Sequence, residues 1–246
     1  MASKDLFSSQ SKAYAAFRPT YPADLYQFIF RHTQNFDCAW DCATGNGQVA
    51  RDLSLRFKKV FATDISQQQL DEAFRAENIE YSISKAERTS FAAKQFDLIT
   101  VGQALHWINT DEFYKEVKRV GRHGATLAVW GYSLLTITEP LDIRFSEFYF
   151  NTVGKYWDAA RKLVENKYST IDFPFNNRIE HEFEIKVEWN LEQFAGYLTS
   201  WSSTQKFINV ERQNPVPDFI QSIRQYWDEG EIKTVRFPLF VKVGKI

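Results

Sequence analysis

The sequence predicts an α/β fold in which helices cover the faces of a mostly parallel sheet. Helix and strand signals alternate from residue 20 to about 131, which is typical of parallel strands joined by crossover helices. A turn with two glycines, Gly45 and Gly47, separates the first strand from the helix that follows it. After Trp130 the alternation stops and aromatic-rich helical segments follow, which indicates an insertion into one domain of 246 residues.

The first half of the chain contains five predicted strands. Each is a short apolar run, and we expect them at residues 38–42, 60–64, 81–83, 96–102 and 125–130. The spacing of apolar residues predicts helices between them, and these begin near residues 22, 48, 66 and 111. Such an order places the carboxyl ends of the strands, where α/β proteins bind ligands, along one edge of the sheet.

The second half predicts helices over residues 133–170 and then a half-exposed strand at 179–189, where apolar and charged residues alternate. Helices are expected from Leu191 and between residues 217 and 228, and a last strand at 235–243. We therefore interpret residues 1–246 as one domain with four parts. These are an N-terminal lid and helix (1–35), a ligand-binding core (36–132), a helical insertion over the substrate site (133–176) and C-terminal strands and helices (177–246).

Composition excludes several functional classes. The net charge is −1 and no basic block occurs, so nucleic-acid binding has no electrostatic support. No apolar run approaches the roughly 18 residues of a membrane span, and the polar N-terminus favours a cytoplasmic protein. Cys38 and Cys42 would lie about 13 Å apart on one strand, too far for a disulfide, and no histidine stands beside them at metal-ligand spacing.

Aromatic residues make up 16% of the chain, which is more than a core of this size requires. We expect most of these rings in the core and some of them along an apolar pocket for a small molecule.

The candidate ligand-binding residues are concentrated in the segment from Asp41 to Gly47. Glycines after a strand let the backbone approach a ligand, and the free amides of the next helix suit an anionic group. Asp64 ends the second strand, 19 positions after Gly45, where a carboxylate can accept hydrogen bonds from both ribose hydroxyls. The arrangement therefore predicts a site for a nucleoside-containing cofactor.

The glycine turn alone does not identify that cofactor. Residues 45–50 also fit the Gly-x-Gly-x-x-Gly/Ala pattern of nicotinamide-dependent oxidoreductases. Asp41 favours a different ligand, because a carboxylate four residues before Gly45 would repel a pyrophosphate and attract an ammonium group. It could also simply accept hydrogen bonds from amides of the loop.

The motifs resemble those of class I S-adenosylmethionine (AdoMet) dependent methyltransferases. The segment from Trp40 to Gly47 is similar to their first cofactor motif, with Ala43 in place of its first glycine. Other matching positions are Asp64-Ile65 at the ribose, Ala86-Glu87 beside the adenine, and Gln103 after the fourth strand. The resemblance implies AdoMet as cofactor and a Rossmann-like, seven-stranded, mostly parallel sheet with an antiparallel last strand.

Three further segments are similar to a narrower subgroup, the small-molecule methyltransferases that resemble trans-aconitate methyltransferase (methyltransferase type 11). They are residues 14–22, the pair His106-Trp107, and residues 197–203. The resemblance implies a small-molecule substrate, which we expect to be a carboxylic acid, and a monomer or homodimer without metal. We assign five residues to the substrate pocket: Tyr14, Arg18, Tyr21, Trp107 and Trp201.

His106 is the candidate catalytic residue, because it follows the fourth strand at the ligand-binding edge. A hydroxyl or amine acceptor would need a base such as this imidazole, whereas a carboxylate is already ionised at neutral pH. The imidazole could equally be packed on Trp107 and hydrogen-bonded. Two other functions stay open at this point, a nicotinamide-dependent oxidoreductase and a non-catalytic AdoMet-binding protein.

Overall fold

The computed structural model describes residues 18–246 and contains a seven-stranded sheet in the order β3-β2-β1-β4-β5-β7-β6. The strands are β1 (Cys38–Cys42), β2 (Lys59–Asp64), β3 (Ile79–Ile83), β4 (Phe96–Gly102), β5 (Gly121–Tyr132), β6 (Asn176–Trp189) and β7 (Lys233–Lys245). β1 to β5 pair in parallel, while β7 pairs antiparallel with both β5 and β6. The predicted fold class, with its antiparallel last strand, is confirmed.

Nine α-helices lie within the described residues: α1 (Ala23–Arg31), α2 (Gln48–Ser54), α3 (Gln67–Asp71), α4 (Thr110–Val120), α5 (Glu139–Glu147), α6 (Arg161–Glu165), α7 (Leu191–Thr199), α8 (Ser202–Glu211) and α9 (Val216–Ile223). The sequence does not predict α8, because its polar run carries few apolar residues at helical spacing. β5, β6 and β7 are longer than predicted, since their ends pair with one another beyond the apolar stretches.

The core has two parts, one on each face of the sheet. Consecutive strand residues belong to different parts: Ala39 packs with one cluster and Trp40 with the other, and Leu98 and Ile99 alternate in the same way. This follows from the two-residue period of a strand, and it explains why the central strands are apolar without alternation.

The helical insertion packs over the carboxyl end of β4. Its helix α6 contacts the 3₁₀ turn Leu105–Trp107, and one π-helical turn, Phe148–Thr152, continues α5. Rings from this insertion, among them Phe145, pack against Trp201. These contacts bring side chains of the insertion next to the loop that follows β4.

Residues 18–246 contain no helix that is long and apolar enough to cross a membrane. In the same part of the chain, no cluster of His, Cys, Asp and Glu could hold a metal ion. Cys38 and Cys42 are both free thiols, as the strand spacing predicted.

Candidate active site

A cavity of about 320 Å³ opens at the carboxyl ends of the central strands. Parallel strands bring their carboxyl ends to one edge, and the loops that leave β1, β4 and β5 diverge there. The lining comes from the N-terminal segment, the glycine turn, the segment before β3 and the ends of β4 and β5: Arg18, Pro19, Thr20, Tyr21, Asp41, Ala43, Thr44, Gly45, Asn46, Gln48, Val49, Arg51, Glu72, Phe74, Gly102, Gln103 and Tyr132.

The glycine turn requires a left-handed backbone. Ala43, Gly45 and Gly47 have φ angles of 55°, 57° and 78°. A Cβ on Gly47 would lie 2.2 Å from the Tyr81 hydroxyl oxygen, so any other residue here would require Tyr81 to move. Gly47 also begins α2 without a side-chain cap, which leaves helix amides available to a ligand.

Asp41 is the acidic group of this turn and is buried, with an exposed fraction of 1%. Its carboxylate accepts hydrogen bonds from the Thr44 hydroxyl and, at 2.9 Å, from the Thr100 hydroxyl. Burial raises the pKa of Asp41 to about 7, although both hydroxyls act in the opposite direction. A cation beside this carboxyl group would favour its ionised form.

Asp64 stands at the end of β2 and fixes the backbone around it. Its Oδ2 accepts the Gly45 amide at 2.8 Å, and its Oδ1 accepts the Ser66 amide at 2.9 Å. A carboxylate oxygen can accept more than one hydrogen bond, so these contacts are compatible with the predicted ribose contact. Ile65, next in the chain, is exposed, as is Ile83, the β3 residue that pairs with Asp64.

The loop after β3 is attached to the start of α4. Ala86 is buried, and the Glu87 carboxylate accepts the amide of Asn109 at 3.0 Å. Neither residue lines the cavity described above, so their predicted place beside an adenine stays a prediction.

Gln103 ties β4 to β5 at the cavity edge. Its Oε1 accepts the Tyr132 amide at 2.7 Å, and its own backbone amide donates to the Trp130 carbonyl at 2.8 Å. Gln103 has a φ of 55°, which turns the chain away from the strand. The carboxamide therefore holds Tyr132 in the cavity wall.

The residues assigned to the substrate pocket lie in different places. Arg18 and Tyr21 line the same cavity as the glycine turn, and an η nitrogen of Arg18 donates to the Tyr132 hydroxyl at 3.0 Å. Trp107 is 38% exposed and lies beside His106, with ring centres 4.8 Å apart. Trp201 is buried against rings of the insertion, and Tyr14 lies outside the described residues.

His106 is partly buried and strongly oriented. Its Nδ1 lies 2.9 Å from the Tyr168 hydroxyl, and that hydroxyl oxygen accepts the backbone amides of Leu105 and His106. The Tyr168 proton is therefore directed at Nδ1, so the neutral imidazole carries its own proton on Nε2. Burial, and to a smaller extent the nearby Arg161 guanidinium, lowers the pKa of His106 to about 3.

Three residues of this region were not predicted from the sequence. Tyr132 could have been found, because it lies two residues after the predicted strand 125–130, at the ligand-binding edge, and ends the observed β5. Phe74 and Arg161 gave no sequence signal: Phe74 lies in an irregular segment, and Arg161 lies 55 residues from His106 in the chain, in the insertion.

The comparisons with known proteins agree on one family. The family model described as "Methyltransferase domain" matches residues 40–129. The chain is 34% identical to a Dictyostelium discoideum protein named "Putative methyltransferase" over 98% of this chain and 95% of that protein. It is 29% identical to a solved "Putative Type II Methyltransferase" of Anaeromyxobacter dehalogenans, with a TM-score of 0.86 over 94% of this chain and 98% of that one.

A more distant structure shows the fold alone. It is phosphoethanolamine N-methyltransferase 2 of Haemonchus contortus in complex with S-adenosyl-L-methionine, which is 16% identical with a TM-score of 0.51 over 96% of this chain and 57% of that one. The cavity fits AdoMet, because a left-handed glycine turn leaves room for its backbone contacts and the buried Asp41 carboxyl suits its ammonium group. Family and site together decide against the oxidoreductase: this chain belongs to the class I AdoMet-dependent methyltransferases, and AdoMet is its cofactor.

Proposed function

We propose that this enzyme transfers a methyl group from AdoMet to a carboxylate oxygen of a small organic acid. The state of His106 is the observation that carries the proposal. An imidazole with a pKa of about 3 is a very weak base, and its Nδ1 already receives the Tyr168 hydroxyl. An acceptor that must lose a proton would find no effective base there, whereas a carboxylate needs none.

The cofactor would be held by the residues that the sequence motifs predicted. Asp41 would face the ammonium group, Asp64 the ribose hydroxyls, and Gly45 and Gly47 would let the backbone approach the methionine part. Bound AdoMet supplies an electrophilic sulfonium methyl group. Arg18 lines the same cavity, so we place it at the cofactor's carboxylate rather than in the substrate pocket.

The acceptor would enter between the end of β4 and the helical insertion (residues 133–176). Methyl transfer requires the nucleophile in line with the sulfonium carbon, so the main task of the protein is alignment in a site without bulk water. The Nε2–H of His106 can donate a hydrogen bond to an acceptor oxygen without taking a proton. Rings of the insertion that pack on Trp201 would help to exclude water from this region.

The test is a screen of small mono-, di- and tricarboxylic acids with methyl-labelled AdoMet. A methyl ester releases labelled methanol in mild alkali, whereas an N-methyl or C-methyl product keeps its label. We expect an alkali-labile product from at least one acid. An alkali-stable product, together with a large loss of activity in His106→Gln, would favour the second candidate, a hydroxyl or amine acceptor with His106 as base. If AdoMet binds and none of the acids is methylated, carboxylate methylation is refuted.

A further inference from the structure

Arg161, in the helical insertion, forms a hydrogen bond through only one nitrogen of its guanidinium group. Arg161 is the first residue of α6 and is partly buried. Its Nε donates to the Tyr149 hydroxyl at 3.1 Å, and its guanidinium carbon lies 5.1 Å from the centre of the Trp157 ring. Tyr149 in turn donates to the Glu165 carboxylate. Within residues 18–246, the two η nitrogens form neither a hydrogen bond nor an ion pair.

The acids of the insertion that are closest to Arg161 in sequence accept hydrogen bonds from other groups. Asp158 accepts the amide of Ala160 at 3.1 Å, and Glu165 accepts the Tyr149 hydroxyl. A guanidinium that has lost part of its hydration gains free energy from an anion that accepts two hydrogen bonds side by side. The contacts of Nε and the ring of Trp157 fix the plane of the guanidinium and leave its two η nitrogens for that role.

The charge of Arg161 interacts electrostatically with residues at the carboxyl ends of β4 and β5. It lowers the pKa of His106, which follows β4, and it interacts electrostatically with Tyr132, at the end of β5. Tyr132 lines the cavity next to the glycine turn. Tyr197 interacts electrostatically with both Arg161 and Arg18, so both arginines lie near one buried phenol.

From this geometry we propose that Arg161 forms a binding subsite for an anionic group of the methyl acceptor, a carboxylate held by its two η nitrogens. The inference rests on the proposed function. A carboxylate could come from the acceptor or from the methionine part of AdoMet. Arg18 lines the cavity of the glycine turn and Arg161 does not, so we assign the cofactor's carboxylate to Arg18 and the acceptor's anionic group to Arg161.

The experiment uses the full chain saturated with S-adenosylhomocysteine, so that the site of the cofactor's own carboxylate is filled. Acetate, succinate, citrate and phenylacetate are titrated by calorimetry into the wild type, Arg161→Gln, Arg161→Lys and Arg144→Gln. Arg144 is the matched control, because it is an exposed arginine of the same insertion that pairs with Glu147. We expect at least one acid to bind the wild type and Arg144→Gln equally, within twofold. It should bind Arg161→Gln at least tenfold more weakly, and Arg161→Lys with an intermediate affinity, because lysine keeps the charge without the planar fork.

Two results would overturn the subsite. One is that no acid binds the wild type; the other is that Arg161→Gln binds the acids as tightly as Arg144→Gln does. A tenfold loss of S-adenosylhomocysteine affinity in Arg161→Gln would assign Arg161 to the cofactor instead. If Arg161→Gln does not fold, Arg161→Lys is compared with the wild type instead. Its affinity for the acid must then be at least threefold lower, while its affinity for S-adenosylhomocysteine stays within twofold of the wild type.

Methyl transfer separates this inference from the proposed function. Acids that bind through Arg161 and are never methylated would leave the subsite in place and refute carboxylate methylation. Acids that are methylated with the same KM by the wild type and Arg161→Gln would refute the subsite and leave the proposed function in place.

Discussion

At the scale of single residues, the two groups of greatest chemical interest are both shifted by burial, in directions that favour their neutral forms. Desolvation raises the pKa of Asp41 and lowers that of His106. A neutral carboxyl group can become an anion when a cation arrives, so Asp41 is suited to respond to the cofactor. A neutral imidazole with a pKa of about 3 cannot be charged near neutral pH, so His106 is suited to hydrogen bonding.

His106→Gln should lower methyl transfer to an acid by less than about tenfold, because no proton is removed in the reaction. At saturating AdoMet, turnover of the wild type should be flat from about pH 6 to 8, since the folded-state pKa of His106, about 3, lies far below that range. Turnover is measured across this range for both proteins, with S-adenosylhomocysteine affinity as the control for folding. A loss of roughly 10²–10⁴-fold with unchanged affinity would instead identify a base.

His106 should also make the protein sensitive to acid. Its folded-state pKa lies below its ordinary value, so the unfolded chain takes up a proton first as the pH falls from about 6.5 towards 3. Stability from this group is therefore present above its ordinary pKa and is lost below it. Urea unfolding at several pH values should show a weaker decline in His106→Gln than in the wild type.

Asp41 predicts a pH-dependent cofactor affinity. With a pKa of about 7 in the free protein, Asp41 must lose its proton when the ammonium group binds beside it. S-adenosylhomocysteine should then bind roughly tenfold more tightly at pH 8 than at pH 6, and level off at higher pH. Calorimetry in buffers with different ionisation enthalpies should detect proton release near pH 7. Asp41→Asn should bind more weakly and without this dependence; an equal dependence in the variant would contradict the assignment.

At the scale of elements, the strand–turn–helix unit β1-α2 depends on a glycine that faces a tyrosine. Gly47 has a left-handed backbone, and the Tyr81 hydroxyl occupies the space where its Cβ would lie. Tyr81 is held there by its hydrogen bond to the Phe74 carbonyl at 2.6 Å. The segment before β3 thus packs directly on the glycine turn.

Gly47→Ala should destabilise the protein by more than about 2 kcal/mol, since left-handed strain of about 1–2 kcal/mol adds to the contact with Tyr81. Gly230→Ala is the matched control, because its φ is +84° and nothing lies within 4 Å of the added methyl group. Chemical unfolding measures both variants. The Gly47→Ala change should cost less in a Tyr81→Ala background; equal costs in both backgrounds would show that the hydroxyl is not the obstacle.

At the scale of the whole molecule, the cavity proposed as the cofactor site joins parts of the chain that are far apart in sequence. Residues 18–21, the turn after β1, the segment before β3 and the ends of β4 and β5 all contribute to one cavity. A ligand that binds across these parts in the folded state stabilises all of them together, because the unfolded chain cannot form the site.

S-adenosylhomocysteine at a hundredfold excess over its Kd should therefore add about 2.7 kcal/mol to the free energy of unfolding, which corresponds to a rise in Tm of about 5–10 °C. NAD at the same concentration should produce no shift, because Asp41 would repel a pyrophosphate. Thermal unfolding followed by differential scanning fluorimetry measures both. A shift with NAD and none with S-adenosylhomocysteine would contradict the cofactor site as described.

The fold class and a candidate cofactor motif can be predicted from the amino-acid sequence. Both depend on short-range order: the alternation of strands and helices, and the succession of Asp41, the glycine turn and Asp64 over 24 residues. The geometry of a strand–turn–helix unit follows from its local sequence, so these residues can be proposed as a cofactor motif from the amino-acid pattern. The helix α8 and the extra lengths of β5 to β7 cannot be predicted in this way, because pairing and packing between distant parts of the chain set those bounds.

The surroundings of His106, by contrast, depend on contacts between distant parts of the chain, which no local pattern shows. The contact of His106 with Tyr168 spans 62 residues of sequence, and Arg161 comes to His106 through the packing of α6 on the turn after β4. The pKa of His106 depends on burial and on the charge of Arg161, which are properties of the folded surroundings and not of the residue type. A sequence can indicate that a histidine is a candidate base. The folded chain sets the pKa of that histidine, because long-range packing determines both its hydration and its charged neighbours.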